Sequence, residues 1–148
     1  MMSDELLLMK EKRSIQLSHF INRNKSEIMF LQLAHTKTEI YKLTGSFVVA
    51  RCKATEPFPK EEKFSLVNQI RREAILAHLN LAEGCSRKSS AERCRFFKIS
   101  RGSVIEVDAA LDLATDLSYT TIDEIKHLEE PLIKCYKQLS GLIKFTHY

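Results

Sequence analysis

Glycine and proline are scarce in this 148-residue chain, with 4 and 3 residues, and tryptophan is absent. So little turn-forming material disfavours an architecture of many short strands and favours a few long helices. No apolar run exceeds a handful of residues, far short of the roughly 20 that span a bilayer. The opening MMSDELLLMKEKR places acids before its apolar run and bases after it, the reverse of a secretory leader. Cys52, Cys85, Cys94 and Cys135 form no CxxC pair, so buried, reduced thiols are expected. The expectation is a cytoplasmic protein, without membrane contact, long enough to bury one real core.

Catalytic patterns are missing too. His78 has no second ligand at metal spacing, and there is no HExxH, so packing or solvent contact is its expected role. Asp108, Asp112 and Asp116 recur every four residues like a metal ladder, but no histidine joins them. An exposed row of like charge, or one facing a basic neighbour, is the expected reading. No nucleophile elbow or glycine-rich phosphate loop occurs. A non-enzyme without metal or cofactor is expected.

What is present is helical periodicity and an uneven charge. Residues 60–101 hold 10 Lys/Arg against 5 Asp/Glu, whereas residues 102–148 hold 4 against 8, within a net charge of +4. That asymmetry fits nucleic-acid binding, complementary subunit faces, or simply solvated helix sides.

Residues 1–35 form an N-terminal extension, helical in part or disordered, with apolar turns at Ile15, Leu17, Phe20 and Ile21 and again from Ile28 to Leu33. A native start at Met29 is one reading of this segment. From Thr36 a first helix runs to about Ala54 on Ile40, Leu43, Phe47 and Ala50, capped by Thr36 or Thr38. Pro57 and Pro59 stop it, and Phe58 between them plugs the core. A second helix runs from near Lys60, with Leu66, Ile70, Ala74, Ala77 and Leu81 on one stripe, to Gly84 as a C′ residue of positive φ. Ser89 and Glu92 fit a capping box opening a third helix to Leu117, roughly 40 Å long. Its stripe is Phe96, Ile99, Ser103, Val107, Ala110 and Ala114, widened by Phe97, Val104 and Leu111. Gly102 and Ser103 in mid-helix imply close approach of a neighbouring helix. A fourth helix carries the heptad seam Ile125, Leu128, Leu132, Cys135, Leu139 and Leu142, bent at Pro131. The pattern predicts an all-α, antiparallel up-down-up-down four-helix bundle over residues 36–148.

Three motifs carry a resemblance: Gln69-Ile70-Arg71-Arg72, Asn80-Leu81-Ala82-Glu83-Gly84 and Gly102-Ser103. With Phe58-Pro59 and Glu61-Glu62, they make the chain similar to the four-helix-bundle proteins encoded in intervening sequences of bacterial large-subunit ribosomal RNA genes. More distantly it resembles accessory proteins of diversity-generating retroelements. The family usually has a proline break where Leu76, Ala77 and His78 stand, so a straighter second helix is expected here. The resemblance implies a homopentamer.

Arg71 and Arg72 admit two readings. One arginine pairs with Glu83 or Asn80 to tie the second helix to a neighbour. Alternatively the pair joins Arg87, Lys88, Arg93, Arg95, Lys98 and Arg101 in a basic surface tracking nucleic-acid phosphates. The expected lack of exposed aromatics near this cluster argues against base stacking and for shape or backbone recognition of structured RNA or duplex. The competing function is a protein–protein scaffold whose charged faces build the oligomer or recruit a partner, as a reverse transcriptase is recruited by the retroelement relatives.

Overall fold

The computed structural model describes residues 30, 31 and 33–147 of the chain. The expected apolar turns at Ile15, Leu17, Phe20, Ile21 and Ile28 lie outside the described residues, as do Met29 and Tyr148. Every regular element among the described residues is helical: α1 (Glu39–Ala54), α2 (Leu66–Ser86), α3 (Ser90–Asp116) and α4 (Glu129–Thr146). Short 3-10 turns precede α1 and α2, and a broken connection of one α-turn and one 3-10 turn leads into α4. The fold is the expected antiparallel up-down-up-down four-helix bundle. Consecutive helices pack side by side, and α4 closes the ring against α1.

Local chemistry sets the boundaries. Thr38 caps α1 by accepting the Tyr41 N–H. Phe58 is buried, its ring 6.4 Å from that of Tyr119, so the turn between the two prolines does plug one end of the core. Glu62 organises the entry to α2. Its carboxylate accepts from the Ser65 hydroxyl, from Tyr119 Oη at 2.8 Å and from the Leu66 N–H at 3.4 Å. The Ser65 and Tyr119 bonds hold the Glu62 carboxyl below its ordinary range, and the same bond pushes the Tyr119 phenol up. Ser89 accepts the Glu92 N–H as the N-cap of α3.

The fourth helix is not one continuous rod. A capping box between Thr121 and Glu124 starts a single α-turn, Ile122–Ile125, and a 3-10 turn follows over Lys126–Leu128 before α4 begins. Pro131 explains the break. It has no N–H for the carbonyl four residues earlier, and its ring disfavours helical backbone before it, so it is tolerated only in a first turn.

The core is an aromatic and aliphatic filling centred on Phe47, Ile70, Leu81, Phe97, Val104, Val107, Leu128 and Leu139, all fully or almost fully buried. Each such large side chain contributes about 1.5–3 kcal/mol. On α3 the expected Ser103, Val107, Ala110 and Ala114 are buried, and the stripe departs from the expected one only in the first turns. Cys94, Phe97 and Ser100 face inward, whereas Phe96 is half-buried and Ile99 exposed. The cause is α2: Ser100 Oγ donates to the Ala77 carbonyl at 2.6 Å, and Phe97 lies against Gly84.

Two glycine readings exchange places. Gly84 is not a C′ residue, because α2 continues to Ser86 and no glycine has positive φ among the described residues. It is instead the point of close approach, where an added Cβ would sit 2.6 Å from Phe97 Cε1. Gly102, expected to be that point, has nothing within 4 Å of where a Cβ would lie.

Candidate nucleic-acid interface

The antiparallel order brings the C-terminus of α2 and the N-terminus of α3 to one end of the bundle, joined by a turn of three residues, Arg87–Ser89. Arg87, Lys88, Arg93 and Arg95 gather there, and Lys98 follows one turn along α3. Lys88, Arg95 and Lys98 are exposed. Arg87 is pinned: it pairs with Glu83 one turn back, and its guanidinium lies 5.0 Å over the Phe96 ring. Arg93 is half-buried, and its Nε has no hydrogen-bond partner. Burial pushes the adjacent Cys85 thiol up, and Arg93 partly opposes that shift.

Arg101 crosses to α4. Its Nη1 donates to Ser140 Oγ at 3.2 Å, and its guanidinium stands 5.7 Å from the Tyr136 ring. This bond sets the register of α3 against α4. Four residues beyond Ser140, the exposed Lys144 lies toward the end of α4 that the antiparallel order places with the start of α3. Lys144 is an addition that the sequence did not signal, because nothing local ties it to residues 87–98.

Arg71 and Arg72 stand apart. They precede Arg87 by fifteen or sixteen residues on the same helix, which is about 22 Å along the axis. Arg71 is committed elsewhere: its Nε donates to Thr55 Oγ1 at 2.7 Å and its Nη2 to the Cys52 carbonyl at 3.1 Å. It does tie α2 to a neighbour, but through the end of α1 rather than Glu83 or Asn80. Glu83 is taken by Arg87, and the Asn80 amide donates to the Leu76 carbonyl of its own helix at 2.8 Å. Arg72 is exposed.

The remaining motif residues are structural. Ser103 Oγ donates to Glu73 at 2.8 Å, and Gln69 reaches both Glu73 and Glu106 at 3.4 Å. His78 packs at 4.5 Å against the Tyr41 ring, with Nδ1 2.8 Å from the Thr44 hydroxyl. Sequence reasoning missed Arg51 entirely. It is fully buried on the same face as Phe47, donates through Nη2 to the Leu128 carbonyl at 2.8 Å, and leaves Nε and Nη1 without partners. Burial pulls its pKa down to about 10, against the opposing pull of Cys135 and Asp108. Its spacing of four from Phe47 was the available signal.

Charge is thus divided along the bundle axis. The α2–α3 turn is basic, while the last turns of α3 carry Asp108, Asp112 and Asp116, all exposed. Among the described residues no group of three or more His, Cys, Asp or Glu is placed to hold a metal, and no helix is long and apolar enough to cross a membrane.

The class defined so far is a small helical bundle with a cationic end. The chain belongs to the 23S rRNA-intervening sequence protein family, whose pattern matches residues 36–141. A solved structure from Bacteroides thetaiotaomicron VPI-5482, described as a protein of unknown function from the S23 ribosomal protein family, shares the fold with a TM-score of 0.63. It is 19% identical, and the match covers 71% of this chain and 98% of that one. No curated protein matches.

Proposed function

We propose that this protein is a non-catalytic, oligomeric module of the cytoplasm that binds the backbone of structured RNA or duplex through its basic end. The gathering of Arg87, Lys88, Arg93 and Arg95 at one turn carries the reading, because clustered cations neutralise several phosphates together. Lys98, Arg101 and Lys144 extend the surface along the α3–α4 side, whereas Arg71 serves packing. The family's name supports RNA connected with ribosomal intervening sequences as the target. A homopentamer, as the family resemblance implies, would repeat the surface five times and raise a weak single-copy affinity through avidity.

The test is fluorescence anisotropy of labelled structured RNA and duplex DNA across a range of salt. Affinity falling steeply as salt rises, and lost when Arg87, Lys88, Arg93 and Arg95 are all changed to Glu with assembly intact, is the expected result. No binding at low salt would sink the reading. The opposite charges of the two ends favour a second reading, in which complementary faces build the oligomer or recruit a protein such as a reverse transcriptase. The same quadruple variant would then disturb assembly or partner capture instead.

A further inference from the structure

One turn beyond the Arg101–Ser140 bond, α3 and α4 leave a cleft of about 250 Å³ between them, lined by Val104, Ile105, Asp108, Leu132, Ile133 and Tyr136. Neither the core nor the cationic turn uses it. Val104, Ile105, Leu132 and Ile133 make its walls apolar. Tyr136 adds an aromatic ring, 41% exposed, with the Arg101 guanidinium 5.7 Å from its centroid. Asp108 adds a carboxylate that belongs to neither ion pair found among the described residues. The sequence raised no expectation of an exposed aromatic near the basic cluster, yet α4 brings Tyr136 to the side of Arg101.

An apolar slot with one aromatic wall and one hydrogen-bonding group is the kind of site that holds an unstacked base. Its volume exceeds that of a single nucleobase. The carboxylate selects among the bases, because its two oxygens only accept and so match two adjacent donors. Guanine presents such a pair on its Watson–Crick edge, N1–H and the N2 amino group. Adenine and cytosine each set an amino group beside a ring nitrogen whose lone pair a carboxylate repels. Uracil has one N–H between two carbonyls. The spacing also fits one nucleotide. Asp108 lies seven residues beyond Arg101 on α3, roughly 10 Å along the axis, close to the span from a nucleotide's phosphate to the far edge of its purine. From Arg101, Lys98 continues the cationic path back toward the α2–α3 turn.

We infer that the α3–α4 cleft is a base slot that takes an unpaired guanine of the bound RNA. The base stacks on Tyr136, its N1–H and N2 amino group donate to Asp108, and Arg101 meets the phosphate. The bond to Ser140 occupies Arg101 Nη1 and holds the guanidinium in place at the mouth of the slot. This inference rests on the nucleic-acid reading and narrows it, from backbone contact with any duplex to structured RNA that carries an exposed guanine. A carboxylate next to a phosphate-binding surface weakens backbone binding, so Asp108 is accounted for by a base edge that needs an acceptor. Asp112 and Asp116 have no such part, since neither lines the cleft.

The probes are fluorescein-labelled RNA hairpins of one stem whose loop carries a single guanine, replaced in turn by inosine and adenine. A fully paired RNA duplex is the reference, and the full chain is titrated against each by anisotropy. The guanine hairpin should bind tightest. Inosine, which lacks the amino group, should bind about fivefold more weakly, and adenine about thirtyfold. Tyr136→Ala should weaken the guanine hairpin about tenfold more than the duplex, and Tyr136→Phe, which keeps the ring, should restore it. Asp108→Asn should turn the preference toward adenine, whose N6 amino group and N1 suit an amide. Asp112→Asn should leave the guanine-to-adenine ratio as it was. Equal affinity for every hairpin, with steep salt dependence retained, overturns the inference and leaves the backbone reading standing. No binding of any hairpin or of the duplex at low salt overturns both. Sedimentation showing that Tyr136→Ala breaks up an assembly while the guanine preference survives also overturns the inference, and makes the cleft a contact between copies.

Discussion

The seam between α2 and α3 and the side of the bundle formed with α4 solve the same packing problem differently. Between α2 and α3 the close approaches are matched along most of the seam: Gly84 receives Phe97, Ser100 bonds the Ala77 carbonyl, and the buried Glu73 accepts from Ser103, with Arg93 Nε at its end the one unpartnered atom among those described. On the α4 side, Arg51 is buried with two unpartnered nitrogens, a cleft opens beside Tyr136, and Gly102 and Gly141 face open space. A tight seam fixes register, because each polar atom has one place to go. A loose one tolerates change and leaves surface for partners. The two buried charges show the contrast most directly. Glu73 is built into a network, while Arg51 leans on one carbonyl and on the Phe47 ring 3.8 Å away.

Opposite responses to substitution follow. Gly84→Ala should destabilise by about 2 kcal/mol in chemical denaturation despite its better helix propensity, because the fully buried Phe97 has nowhere to move. Glu73→Met should cost about 1.5 kcal/mol by stranding the Ser103 hydroxyl. Arg51→Met should instead be neutral or stabilise by about 1 kcal/mol, since an apolar side chain of similar size removes a desolvated charge. A loss as large as that of Glu73→Met would erase the distinction between the seams. The Arg51 penalty also carries a pH signature. A base whose folded pKa is about 10, depressed below the ordinary guanidinium range, disfavours folding while it is protonated in both states. The advantage of Arg51→Met should therefore shrink as pH rises above about 10. Gly102→Ala should stabilise by about 0.8 kcal/mol, as nothing opposes the new methyl. Smallest is Tyr119→Phe, which removes one bond to Glu62. Because Glu62 is depressed below its ordinary 4.5, that bond contributes above this value and fades as pH falls through the folded one. The melting-temperature difference between Tyr119→Phe and the parent should disappear in acid.

Much of the architecture was legible in sequence because helical spacing and capping are local. Thr38, Ser89 and the prolines around Phe58 mark boundaries within a residue or two of those observed. What depends on a neighbour was not legible. Phe96 and Phe97 are equivalent to a periodicity argument, and only contact with α2 decides that Phe97 turns inward. Gly84 and Gly102 read alike until the opposing helix is in place. Among the basic residues, the cluster around the α2–α3 turn was visible from chain proximity. The commitment of Arg71 to α1 is a tertiary fact. Arg51 was passed over because composition places arginine outside, and its burial overrides that prior.

The order of helices has a temporal consequence. Each of α1, α2 and α3 meets its next neighbour across a short connection, but α1 meets α4 only through partners such as Arg51 and Leu128, 77 residues apart. During synthesis at about 5–20 residues per second, α1 waits roughly 4–15 s for that partner. Until then Arg51 remains hydrated at an open edge, and the charge is desolvated only when the ring shuts. Closure by α4 is therefore the late event of folding. The same edge is the first expected to reopen, so amide exchange should be faster along α4 than across the α2–α3 seam.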